Sequence, residues 1–174
     1  MIEPYYSEDG ITIYHGDCGE ILPQLEKVDL VLTDPPYGIG EGFGNATRSC
    51  LAVAREYEHG EWDEARIGYW VWDEVWKKSK QKIVWGGHYY SDILSIQSCW
   101  LVWDKDNGAN DFGDCELAWT NLEGAIRKFK WRWQGMLQEQ MGRNKEARVH
   151  PTQKPTPLME WCIGLVDGDK ILDP

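Results

Sequence analysis

Val28-Asp29-Leu30-Val31-Leu32-Thr33-Asp34-Pro35-Pro36-Tyr37-Gly38 begins as an apolar run of strand length and ends as a turn with little freedom. Each proline fixes φ at about −65°, removes a backbone donor and pushes the residue before it toward extended geometry, so the chain leaving the strand at Asp34 becomes a stiff loop. A stiff loop holds its polar atoms still. Those atoms are the Asp34 carboxylate and the Asp34 and Pro35 carbonyls, all acceptors, and they suit a planar exocyclic NH2 group with two hydrogens to donate. Tyr37 would offer a flat face to the ring that carries the amine. The plainer reading is a strand-to-loop turn stiffened by proline. The strand before it, with Tyr and Gly after it, favours the chemical one.

Outward from this stretch, strands are expected near residues 11–15, 82–86, 99–103, 125–133 and 169–172, besides 28–33. Helical or mixed segments are expected near 18–26, 61–79, 89–96 and 156–166. Strands alternating with helices argue for an α/β layered sheet. Four glycines at 38, 40, 42 and 44 read as a loop after the turn, either a surface linker or a substrate-gating lid. A second loop is expected from Asp104 to Asp114, with Asn107-Gly108 and Phe112-Gly113.

At 174 residues, 42% hydrophobic and 27% charged, one globular domain with a real core is expected and a disordered chain is excluded. There is no apolar run of about 18 residues to span a membrane and no signal segment, so a cytoplasmic protein is expected. Cysteines at 18, 50, 99, 115 and 162 are odd in number and lack C-x-x-C spacing, which suggests reduced thiols rather than disulfides or zinc. His15, His59 and His88 also lack ligand spacing, so no metal is expected. Most of the eleven tryptophans must be core.

Five further blocks accompany the Asp34 turn: Ile13-Tyr14-His15-Gly16-Asp17-Cys18; Ile83-Val84-Trp85-Gly86-Gly87-His88-Tyr89-Tyr90; Trp103-Asp104-Lys105; Glu116-Leu117-Ala118-Trp119; and His150-Pro151-Thr152-Gln153-Lys154-Pro155. With Asp34-Pro35-Pro36-Tyr37 they resemble the amino-directed DNA methyltransferases that use S-adenosylmethionine and make N6-methyladenine or N4-methylcytosine, in the arrangement with the catalytic motif toward the N-terminus, the β group. The resemblance implies a Rossmann-like sheet with helices on both faces. It implies double-stranded DNA and S-adenosylmethionine as partners, no metal cofactor, and it allows a homodimer. The chain is similar in this respect to enzymes of restriction-modification systems and phages.

In this family the His-Pro-Thr-Gln-Lys-Pro block precedes a helix, here 157–166, and then a strand ending in Asp-Pro and a glycine-rich loop. This sequence stops at Asp173-Pro174. The expectation is a partial catalytic domain over 1–174, truncated after that strand; the other reading is a short protein with an incomplete cofactor site.

The resemblance implies Asp34, Pro35, Pro36 and Tyr37 as catalytic residues. For the cofactor it implies Asp173, the Thr152-Gln153-Lys154 loop, the bordering Asp34 loop and, last, Asp17. An Asp after a strand is also a common helix N-cap. His150 is weighed equally as a loop-fixing hydrogen-bonder and a cofactor neighbour. Asp-Pro-Pro-Tyr leans toward adenine.

The net charge of −11 repels a polyphosphate at long range. Yet Arg127 to Lys154 holds eight bases and two acids, a local charge of +6 against −17 elsewhere. Arg127, Lys128, Lys130, Arg132, Arg143, Lys145 and Arg148, interleaved with Phe129, Trp131 and Trp133, fit a surface for phosphates and bases. Residues 120–149 are therefore expected to contact DNA. The plainer alternative is a solvated charged segment with core aromatics at alternate positions, since 125–133 reads as a strand with one apolar and one basic face.

Overall fold

The structure, a computed structural model, describes residues 2–40, 63–108, 113–134, 137–150 and 152–174. Gly42, Gly44, Cys50, His59 and Phe112, and the start of the helix expected from 61, lie outside these residues.

Six strands form the central sheet: β3 (Leu30–Thr33), β4 (Gln81–Trp85), β5 (Trp100–Asp104), β6 (Cys115–Thr120), β7 (Arg127–Lys130) and β10 (Ile171–Leu172). Their order is β10-β3-β4-β6-β5-β7. The pairs β10–β3, β3–β4 and β5–β7 are parallel, while β6 runs antiparallel to both its neighbours. Five strands therefore point one way and β6 the other. Two hairpins flank the sheet, β1 (Tyr6–Glu8) with β2 (Ile11–Ile13) and β8 (Trp133–Gln134) with β9 (Leu137–Gln138). The first turns on Asp9-Gly10, both at positive φ, as a two-residue hairpin requires.

The helices are α1 (Cys18–Ile21), α2 (Tyr69–Lys78) and α3 (Thr156–Ile163). Side chains alternate across β3 and β4 with the strand period of two. Leu30, Leu32, Ile83 and Trp85 pack with Leu158 and Cys162 of α3, whereas Val31 and Val84 pack with Val71, Trp72 and Val75 of α2. One helix thus covers each face, and β3 is buried along its whole length. The expected α/β sheet with helices on both faces is what the chain forms.

Local details depart from expectation for identifiable reasons. The helix expected over 18–26 gives way after one turn to a 3-10 turn at Leu22–Gln24, where Pro23 removes a donor. The segment at 89–96 is a 3-10 turn over Gly87–Tyr90 followed by further turns. The single strand expected over 125–133 is two, β7 and β8. β6 has no counterpart among the expected strands, since Cys-Glu-Leu-Ala-Trp-Thr carries Glu, Leu and Ala, which favour helix in isolation. Sheet pairing on both sides overrides that preference.

The position of β10 matters most for the site. Asp29 Oδ2 accepts hydrogen bonds from the Asp169 and Lys170 backbone N–H groups, both at 3.0 Å. Gly168, at φ +140, lies so close that a Cβ there would collide with the Asp29 carboxylate. The glycine and the carboxylate set the register in which Leu172 faces Val31. That register brings Asp173 and Asp34 out at the same edge of the sheet.

Candidate active site

The chain leaves β3 toward β4 on one side and returns through β10 on the other, so the carboxyl ends of β3 and β10 lie at a topological switch point. Open α/β sheets place ligands in the crevice there. A cleft of about 410 Å3 occupies this position, lined by Asp34 to Tyr37, Asp63, Val149, His150, Thr152 to Lys154, Met159 and Asp173. Sequence segments more than a hundred residues apart meet in it.

The Asp34 turn is held from three directions. Asp63, 2% exposed, accepts from the backbone N–H groups of Tyr37 at 2.6 Å and Gly38 at 2.9 Å through Oδ1, and from Ile39 at 3.3 Å through Oδ2. The buried Tyr90 hydroxyl donates to the Pro36 carbonyl. The Tyr37 ring stacks on Tyr89 with centroids 4.8 Å apart, over Gly86, where a Cβ would overlap the Tyr37 ring. Gly86 sits at φ +65 and so has two reasons to be glycine. Arg66 steadies the stacked Tyr89 in turn: it donates to the Tyr89 carbonyl and pairs with Asp92, both at 2.6 Å.

Asp34 itself is engaged at both oxygens. The Tyr37 hydroxyl donates to Oδ1 and Lys154 Nζ to Oδ2, each at 2.5 Å. The Lys154 side chain is only 6% exposed. Its ammonium also lies 3.1 Å from Glu116 Oε2, and Lys105 reaches the other Glu116 oxygen at 2.5 Å. Burial pulls the Lys154 pKa down, but the Glu116 and Asp34 carboxylates outweigh it and hold the pKa above its ordinary value. Burial would raise the Glu116 pKa, and the Lys154 and Lys105 charges instead hold it below the ordinary carboxylate value. Both groups are charged at neutral pH. At the neighbouring strand end, burial pushes Asp173 up to about 6, opposed by a Thr33 hydrogen bond and assisted by the Asp34 charge. Asp173 retains exposed surface, so this shift weighs little in stability.

The expected site residues Asp34, Pro35, Pro36, Tyr37, Thr152, Gln153, Lys154 and Asp173 all line the one cleft. Within it, the Gln153 amide is used on its own loop, accepting from Val149 N–H at 2.7 Å and donating to Glu146 and Ala147 at 3.1 Å. His150 Nδ1 lies 3.0 Å from the Thr152 hydroxyl, so His150 both fixes the loop and borders the cleft. Lys154, expected on the cofactor, lines the cleft and there pairs with the Asp34 carboxylate. Asp17 accepts from Gly19 N–H at 2.8 Å as the N-cap of α1 and is not among the cleft's lining residues.

Of the seven expected phosphate contacts, Lys128 pairs with Asp104 at 3.1 Å, and Lys130 and Arg132 pair with Asp106 at 2.9 and 2.7 Å. Arg127, Arg143 and Lys145 are exposed, and Arg148 is half-buried. Phe129 stacks on Trp161 of α3 at 5.2 Å, and Trp133 is buried, so the interleaved aromatics serve the core. Sequence reasoning missed Asp63, Tyr90 and the role of Gly86. The Gly86-Gly87-His88-Tyr89-Tyr90 block was the signal for two of them, while Asp63 had none.

An acceptor-rich, rigid turn at a switch point, with a buried cation on its carboxylate, is a site for holding a donor group in fixed orientation. No family model matches the chain. It is similar to the type II methyltransferase M2.DpnII of Streptococcus pneumoniae, 23% identical over 221 residues that cover 100% of this chain and 80% of that protein. The chain is related to type II methyltransferases. A second relative, the type II methyltransferase M.ScaI of Streptomyces caespitosus, is 40% identical over 43 residues, which is 24% of this chain and 14% of that one. The first likeness covers the whole chain and so takes in every cleft residue, from Asp34 to Asp173.

Proposed function

We propose that this chain transfers a methyl group from S-adenosylmethionine to the exocyclic amino group of a base in double-stranded DNA, in the first instance adenine N6, with the motif order of the β group. The observation that carries the reading is the Asp34-Pro35-Pro36-Tyr37 turn, immobilised at the carboxyl end of β3 and sharing its cleft with Asp173 of the adjacent parallel strand. Similarity to two type II methyltransferases supports the reaction class.

An exocyclic amine is a poor nucleophile because its lone pair is delocalised into the ring. The Asp34 carboxylate and the Pro35 carbonyl, holding its two N–H groups, favour a pyramidal nitrogen and stabilise the positive charge that grows there. This is stabilisation by dipoles and charges already in place. Asp63 and Tyr90 contribute indirectly by keeping the turn from relaxing. The base must leave the duplex to reach the cleft, at a cost of a few kcal/mol. Tyr37, already stacked with Tyr89, gives it an aromatic surface.

The cleft residues fit the cofactor. Asp34 and Asp173 offer carboxylates to a molecule bearing a sulfonium and an ammonium, and Pro35 and Met159 add apolar surface. Asp173 and the Thr152-Gln153 loop would hold it. When bound it supplies a methyl group already activated by the sulfonium, and the chain's task is orientation. Arg127, Arg143, Lys145 and Arg148 would meet phosphates, with Lys128, Lys130 and Arg132 available on release from their acidic partners.

The test is transfer of labelled methyl from S-adenosylmethionine to unmethylated duplex DNA, with hydrolysis to identify the product base. Label in N6-methyladenine is expected, and Asp34→Ala should abolish it with the fold intact. Label in N4-methylcytosine would move the target while keeping the mechanism, since the same acceptors serve that amine. Undiminished transfer by Asp34→Ala would refute the reading.

A further inference from the structure

Lys154 raises a charge problem for the reaction proposed above. A carboxylate meant to face a developing cation is of little use if a buried ammonium 2.5 Å away neutralises it. The structure holds a second carboxylate on the far side of that ammonium. Glu116 starts on the antiparallel strand β6, opposite Trp103 of β5, and reaches Lys154 at 3.1 Å.

We infer that Glu116 is a positioning residue for methyl transfer: by taking half of the Lys154 ammonium, it leaves Asp34 fixed in place yet still negative toward the cleft. This rests on the methyl-transfer reading of the same site. Asp34, Lys154, Glu116 and Lys105 form a row of alternating charge that is neutral as a whole, and Asp34 is the negative end of it, in the substrate-facing turn.

The rest of the surroundings fit this role. The groups facing Lys154 are Asp34, Glu116 and the Tyr37 hydroxyl, the last at 3.4 Å. Those facing Glu116 are Lys154, Lys105 at 2.5 Å and the His88 ring. Asp173 stands beside Asp34. Lys105 helps Glu116 stay ionised although partly buried, and lies against the Trp103 ring, 5.1 Å from its centroid. Three elements far apart in sequence supply these charges, namely the β3 turn, the β5–β6 pair and the loop before α3. A lysine whose only duty was to bind a cofactor would have no need of a second carboxylate. An unpaired buried ammonium would be costly, but Asp34 alone would already satisfy the pairing requirement.

The experiment compares the wild-type chain with Glu116→Gln, which keeps shape and removes charge, and Glu116→Asp, which keeps charge. Lys154 is followed by NMR of 15N-labelled lysine side chains as pH is raised, with Lys154→Arg identifying its signal. Methyl transfer to duplex DNA is measured alongside. Glu116→Gln should titrate Lys154 at lower pH and cut kcat by about tenfold, with KM for DNA nearly unchanged. Its alkaline limb of kcat should move down in pH with the Lys154 titration, and Glu116→Asp should recover most of both effects.

A purely structural Glu116 would alter stability without moving that limb, and such a result would overturn the inference. So would an unchanged Lys154 titration in Glu116→Gln. A wild-type chain that transfers no methyl group, with Lys154 still titrating lower in Glu116→Gln, would defeat the methyl-transfer reading and with it the catalytic part of the inference, while supporting the Glu116–Lys154 charge link.

Discussion

Truncating Asp63 to Ala should loosen the turn on which the proposed methyl transfer rests, and the structure gives the size of the effect. Three backbone N–H groups, of Tyr37, Gly38 and Ile39, converge on this one carboxylate at 2.6, 2.9 and 3.3 Å. The two shorter bonds share Oδ1 and are charge-assisted; such bonds contribute about 1.5–3 kcal/mol each, and their loss leaves buried donors unpaired. The 3.3 Å bond adds little. Allowing for non-additivity within one group, Asp63→Ala should cost about 3–4 kcal/mol. Asp63→Asn keeps an oxygen where Tyr37 and Gly38 need it and loses the charge, so about 1–2 kcal/mol is expected. Urea unfolding followed by tryptophan fluorescence reads both values; with a slope of about 2 kcal/mol per molar, the Ala variant's midpoint should fall by roughly 1.5–2 M. Methyl transfer should decline in the same order, less for Asn than for Ala. A midpoint for Asp63→Ala within about 0.3 M of wild type, or an Asn variant as damaged as the Ala one, would refute the argument that this carboxylate fixes the turn.

Gly86→Ala places a Cβ in the Tyr37 ring and a side chain at φ +65, so a stability loss of about 1–2 kcal/mol from the backbone alone is expected, with transfer falling further than DNA affinity; wild-type kcat in that variant would contradict the packing. The Glu116–Lys154 pair predicts a pH dependence of unfolding. Because the folded Glu116 pKa lies below 4.5, its contribution is complete above pH 4.5 and fades as pH falls through the folded value. Lys154, held above 10.5, keeps its contribution below pH 10.5 and loses it as pH rises through its own folded value. Wild type and Glu116→Gln should therefore differ in unfolding midpoint at pH 7 and converge on the acid limb. For DNA binding, Arg143→Gln and Lys145→Gln should each reduce the salt slope by about 1, whereas Lys130→Gln and Arg132→Gln should reduce it less, because Asp106 already holds those two bases; equal effects from all four would count against that pairing in solution.

Much of the sheet and half of the site were legible in the sequence, and the division has physical reasons. Strands β3, β4 and β5 are short apolar runs bounded by turn residues, a pattern that survives without tertiary context. β6 is not, since its strand state comes from its neighbours. The Asp34 turn was legible because two adjacent prolines restrict geometry locally. Asp63 was invisible because its partners are backbone N–H groups, which have no sequence signature. The basic segment shows a third case: its composition was read correctly, but the acids that pair with it, Asp104 and Asp106, sit on another strand and loop.

Lys154 shows what topology adds to a motif. Its block was recognisable in the sequence, where the resemblance implied a cofactor contact. Its pairing with Asp34 and Glu116 follows from topology. Parallel strands deliver their carboxyl ends to one edge, so the Asp34 turn and Asp173 arrive together, and the residues that lead into α3 line the same cleft. A lysine among those residues, with Asp34 on one side and Glu116 on the other, is drawn into the gap between two carboxylates that would otherwise repel each other. The same ammonium therefore bridges two partly buried acids, and substituting it should harm the site more than removing Glu116 does. Lys154→Met, which keeps the apolar stem but not the charge, should lose more activity than Glu116→Gln; the reverse order would mean that Glu116, rather than the ammonium, organises the cluster.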